Sequence, residues 1–200
     1  MKLLSPKSLS RLGVGALALT AGVAQAHTGH GTSGLYEGLV HPFGLDHLLA
    51  MVAVGIWSVS ALPASKAWWG PAVFMASLAV SAALGAMGLA VPALEPLISL
   101  SVVLLGVMLV VARQGVPMIL GLGTLALAAS LHGLAHGAEM PETGFASYAL
   151  GFLLTTAVLH FGGVITGLGI RRHLARSATW VISSVGTLFG AAGLYLFSQL

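Results

Sequence analysis

Six apolar runs follow one another along the chain, near residues 39–61, 70–90, 95–112, 116–137, 145–169 and 178–198, separated by charge, proline or glycine. Each approaches the roughly 20 residues that carry a helix across the hydrocarbon core of a bilayer. In that core a backbone must satisfy its own N–H and C=O groups, so the pattern predicts six transmembrane helices. A shorter apolar run, Leu12 to Val23, precedes them. Lys2, Lys7 and Arg11 lie before it and Ala24-Gln25-Ala26 ends it, the layout of a cleavable signal peptide over residues 1–26. An uncleaved anchor is the alternative, but about 12 residues are short for a span. Residues 27–38 then form an external, His-bearing segment, and 39–200 a single all-α domain of six transmembrane helices.

Composition agrees. The chain is 57% hydrophobic and 6% charged, whereas soluble domains carry about 25% charged residues. The absence of cysteine removes disulfides and thiolate metal sites. The formal charge of +3 does not point to nucleic acid, because the basic residues form no patch with interleaved aromatics. They do fix a topology. With the mature N-terminus outside, Lys66, Arg113, Arg171, Arg172 and Arg176 all fall in cytoplasmic loops. Glu37, Glu95, Glu139 and Glu142 fall on the opposite side. Both termini of the mature protein are expected outside the cytoplasm, in a bacterial inner membrane.

An ionisable group within a span costs about 2.5–3.5 kcal/mol on insertion scales, so each one calls for a reason. One concentration is His41-Pro42-Phe43-Gly44-Leu45-Asp46-His47, at the outer start of the first span. Pro42 suits a first helical turn, and Asp46 and His47 then lie just over one turn inside. On a continuous helix His41 is about 140° from Asp46, so it must reach in from the capping segment. The second concentration is His132-Gly133-Leu134-Ala135-His136-Gly137-Ala138-Glu139, at the end of the fourth span. His132, His136 and Glu139 fall within about 60° on one face. Ala129, Gly133 and Gly137 form an adjoining small-residue ridge on which another helix can pack. The first span runs inward and the fourth outward, so the two groups meet at the same external face.

Imidazole and carboxylate donors in this arrangement suit nickel, cobalt, zinc or Cu(II). His41, Asp46, His47, His132, His136 and Glu139 are the candidate ligands. His160, in the fifth span, is open between a packing residue and a second station on the way in. His27 and His30, beside the α-amine freed by cleavage, are either a metal-capturing arm or a polar tail. A carboxylate–imidazole proton relay is a competing reading of the same groups.

The segments GLVHPFGLDHLLAMVAVG (Gly38 to Gly55) and LHGLAHGAE (Leu131 to Glu139) resemble the HupE/UreJ family of hydrogenase and urease accessory proteins. The resemblance extends over the mature chain. His41, Pro42, Gly44, Asp46 and His47 match the family's H-P-x-x-G-x-D-H pattern, with one residue fewer between His41 and Gly44. His132, Gly133, Ala135, His136, Gly137 and Glu139 match F-H-G-x-A-H-G-x-E, with Leu131 in place of the aromatic. The resemblance implies a nickel, sometimes cobalt, permease. The metal is then transported substrate, and no prosthetic group is expected.

No G-x-x-x-x-G-K-[ST] loop occurs, so no nucleotide partner is read. The membrane potential suffices, since inward movement of a doubly charged ion yields about 4.6 kcal/mol per 100 mV. With no nucleophile–base pair visible in a strained turn, the chain is not read as an enzyme. A membrane-embedded metalloenzyme, and a metal-sensing or insertion partner without net flux, are the alternatives. Gly163 and Gly167 suit internal packing or a dimer equally.

Overall fold

Apolar runs with no water to bond their backbones become helices, and the computed structural model contains no strand among the residues it describes, 34–141 and 144–200. The signal peptide read at 1–26, His27 and His30, and Glu142 lie outside the described residues. The chain forms α1 (Gly34–Val40), a 3-10 turn (His41–Phe43), α2 (Leu45–Ala61) and a second 3-10 turn (Ala64–Lys66). Then come α3 (Trp69–Ala86), α4 (Leu94–Val110), α5 (Met118–Ala138), α6 (Phe145–His173) and α7 (Ala178–Ser198).

Among the described residues, four helical stretches are long and apolar enough to cross a bilayer: Ala64–Ala86, Met118–Ala138, Phe145–His173 and Ala178–Ser198. The pair Gly34–Phe43 and Leu45–Ala61, bent by 72° where they meet, passes the same test only when taken together, as a broken span or a re-entrant loop. The chain is a multi-pass membrane protein. One expectation needs correction. The run read as a continuous 39–61 helix is broken, because Pro42 lacks an N–H and Gly44 adopts an extended conformation (φ −51°, ψ 141°). Pro42 therefore sits in the 3-10 turn, and Asp46 and His47 lie in the first turn of α2 rather than a turn deeper. The run read as 95–112 forms a 17-residue helix, about 25 Å long against a core of about 30 Å.

Helices pair through small residues: α3 with α5, α4 with α7, and α6 with both α1 and α2. The α5 ridge does bring a helix close, and that helix is α3. A methyl added at Gly137 would lie 2.1 Å from the Ala82 carbonyl oxygen. Gly163 and Gly167 are used internally, against Val52, Gly55 and Ile56 of α2. The core centres on α2, where Met51, Val54, Ile56 and Trp57 pack with Phe74, Leu105, Leu109 and Leu125. Val80, Ile119, Val158, Phe161 and Leu188 point outward from the bundle.

The charge separation is also spatial. Arg113 and Arg171 line one cleft with Ser60, Leu62 and Gly115 at the C-terminal ends of α2, α4 and α6. Arg171 donates to the Val59 carbonyl. Glu95 lies in the first turn of α4 and Glu139 caps the end of α5, at the other end of the bundle.

Candidate metal centre

The bend between α1 and α2 builds the site. Gly38 of α1 and Gly151 of α6 let the two backbones touch: a methyl at Gly38 would lie 2.1 Å from the Tyr148 carbonyl oxygen. Thr155 Oγ1 donates to the Leu39 carbonyl across the same contact at 2.8 Å. Held this way, α1 delivers the 3-10 turn, and with it His41, over Tyr148. The chain then bends and α2 begins, with Asp46 in its first turn, where a carboxylate opposes the positive end of the helix dipole. Asp46 Oδ1 accepts the His47 backbone N–H at 2.8 Å and the His47 Nδ1–H at 2.9 Å.

From α5, one turn apart, come His132 and His136, both fully buried. One ring nitrogen from each of His41, His47 and His136 lies within 4.8 Å of the other two. The His47 ring stands edge-on to His132 (centroids 4.6 Å apart) and to His136 (4.8 Å). His41 lies 4.5 Å from His136 by the same measure. At the rim, Glu139 Oε2 is 3.6 Å from His41 Nε2. All six residues singled out in the two motifs therefore form one connected cluster, with the imidazoles inside and Glu139 at its edge. The 3-10 turn brings His41 into this cluster despite its shorter spacing.

Each imidazole is anchored through one nitrogen. Asp46 holds Nδ1 of His47 and leaves its Nε2 buried with no protein partner. Ser101 of α4 donates its hydroxyl to the Ile98 carbonyl, so its oxygen accepts from His132 Nε2 at 3.1 Å. That leaves the lone pair on His132 Nδ1, which is also unpartnered. The Tyr148 hydroxyl is 3.0 Å from His41 Nδ1 and 3.3 Å from His136 Nδ1. A phenol O–H can accept from one of these rings and donate to the other; His136 Nε2 is left with no protein partner, while His41 Nε2 faces Glu139. His136 is further held by Phe152, stacked on it at 4.2 Å. Outer partners of this kind set the tautomer and orientation of imidazole ligands in metal sites.

Two nitrogens bound to one ion at about 2.1 Å are no more than about 4.2 Å apart. Three nitrogens on one ion cannot all be opposite one another and lie only about 3.4 Å apart in a tetrahedral set, so closing His41, His47 and His136 on an ion takes a contraction of roughly an ångström.

His160 stands apart from the cluster. It is buried on α6, edge-on to Phe74 at 5.1 Å, and Phe74 in turn lies 6.3 Å from the His132 ring. The sequence reading missed Tyr148, Ser101, Phe152 and Phe74. Tyr148 carried a signal, since a phenol in an apolar span must find a hydrogen-bond partner. A serine in a helix can bond its own backbone, so Ser101 carried none.

The family model described as HupE / UreJ protein matches residues 15–196. The chain is 40% identical over 183 residues to Protein HupE from Rhizobium leguminosarum bv. viciae, an alignment spanning 88% of this chain and 92% of that protein. No solved structure matches the chain. A family model spanning most of the chain, and a relative aligned over nearly its whole length, establish that this chain belongs to the HupE/UreJ family.

Proposed function

We propose that this protein is an inner-membrane permease for a divalent transition-metal ion, nickel or cobalt, serving a nickel enzyme such as a hydrogenase or urease. The observation that carries this reading is the anchoring pattern. Three buried imidazoles, His47, His132 and His136, each keep one nitrogen without a protein partner, and a carboxylate, a serine and a tyrosine hold the other. Unpartnered polar atoms in an apolar span are costly, and a bound cation compensates that cost. The resemblance to the family's two motifs supports nickel over other ions that take imidazole.

In this reading a signal peptide and six crossing helices place the cluster at the external face, and α4 crosses by local thinning of the bilayer around it. The ion enters past Glu139 and His41, binds between His41, His47 and His136, and moves inward down the potential. Donors shared between helices and held from outside exchange more readily than a closed cage. The protein carries its cargo without chemical change.

The test is nickel uptake by metal-starved cells expressing the protein, beside His47→Ala and His136→Ala at matched membrane abundance. Uptake above empty cells that falls to background in both variants supports the permease. Equal uptake in all three strains removes the cluster from the pathway.

A further inference from the structure

Along α6, Tyr148, Phe152, Thr156 and His160 recur every fourth residue, one above another on a buried face. Each step advances about 6 Å, so the stripe leads from the outer cluster about 18 Å into the bundle. Its inner end is polar. Thr156 Oγ1 and both ring nitrogens of His160 are buried with no protein hydrogen-bond partner, and so is Nδ1 of His132. Between the two imidazoles lies the ring of Phe74, fully buried, 6.3 Å from His132 and 5.1 Å from His160. The interior of a membrane protein does not leave such atoms bare without a reason: an unpaired hydroxyl or imidazole in apolar surroundings costs about 2–7 kcal/mol.

Resting on the permease reading above, we propose that Thr156 and His160 form an inner cation station, reached from His132 past the ring of Phe74. The outer cluster captures the ion. His132 belongs to both stations, because Ser101 fixes its proton on Nε2 and its Nδ1 lone pair is unclaimed. Phe74 separates the two stations and offers the cation a π-face during passage. The inner station is sparse, with one imidazole and one hydroxyl, and an ion there keeps part of its water. Weak binding at that depth lets the ion leave inward.

The outer cluster and the inner station separate experimentally into binding and flux. His160→Leu removes two bare polar atoms and fills the space with apolar volume, so a residue with only a packing role tolerates it. Purified protein in detergent is titrated with nickel, and the same protein in potential-driven vesicles is assayed for nickel flux. For His160→Leu we expect nickel affinity within about twofold of wild type and a maximal flux lowered about tenfold, with little change in half-saturation. Thr156→Val, matched in shape, is expected to lower maximal flux about threefold. Wild-type flux in His160→Leu overturns the inner station and leaves the permease standing. Absence of flux in wild type overturns both. If His160→Leu does not yield folded, nickel-binding protein, Thr156→Val decides alone, and undiminished flux in it rejects the proposal.

Discussion

At the scale of single residues, every imidazole of the outer cluster has a hydrogen-bonding neighbour that orients its ring. Tyr148 does this for two rings at once, through an oxygen 3.0 Å from His41 and 3.3 Å from His136. Phenylalanine at this position preserves the ring and its contacts with Phe152 but removes the shared oxygen. Both Nδ1 atoms then lose their partner, and either nitrogen of each ring is free to carry the proton. Tyr148→Phe is therefore expected to weaken nickel binding by about ten- to a hundredfold without loss of the folded protein. Calorimetric titration of the purified variant checks this, and unchanged affinity shows that the phenol only packs. The six candidate residues of the two motifs stood out because charge and imidazole are conspicuous in apolar runs, and three of them, His41, His47 and His136, bring ring nitrogens together. Their partners were not, since hydroxyls are ordinary within helices and acquire meaning only from a contact across the bundle.

At the scale of elements, the decisive feature is the bend between α1 and α2. The apolar run across it reads as one helix, and the proline and glycine that interrupt it give only a weak local signal. The break matters because α1 and α2 leave it at 72° to each other, which points His41 and His47 at a common space. Close approach of α1 to α6 holds that geometry. Gly38→Ala places a methyl 2.1 Å from a backbone oxygen that cannot step aside. The expected result is a displaced α1, a weakened His41 contribution and nickel affinity down about tenfold, with a stability cost of about 1–3 kcal/mol. Gly162→Ala is the control, since nothing lies within 4 Å of its added methyl, and it should match wild type in titration and thermal unfolding. Equal behaviour of the two variants removes the α1–α6 contact from the site's architecture. Small-residue ridges were readable in sequence, but not their partners: the α5 ridge serves α3, while His132 turns toward α2 and α4 and His136 toward α2 and α6. A ridge shows that some helix packs closely, and only the assembled bundle shows which.

At the scale of the whole molecule, polarity runs from end to end. Glu95 and Glu139 lie at the end that holds the imidazole cluster, and Arg113 and Arg171 line a cleft at the other. The sequence made this separation visible because a membrane sorts lysine and arginine by loop. In the proposed permease, an acidic entrance would attract a cation and an inside-negative potential would draw it through, so no nucleotide would be needed to move nickel. The most direct test uses purified protein in vesicles that hold a metal-sensitive dye and an inside-negative potential. Nickel influx that saturates with concentration, depends on the potential and disappears in His47→Ala and His136→Ala is the expected result. Influx no greater than that of protein-free vesicles, for nickel, cobalt and zinc alike, contradicts the permease.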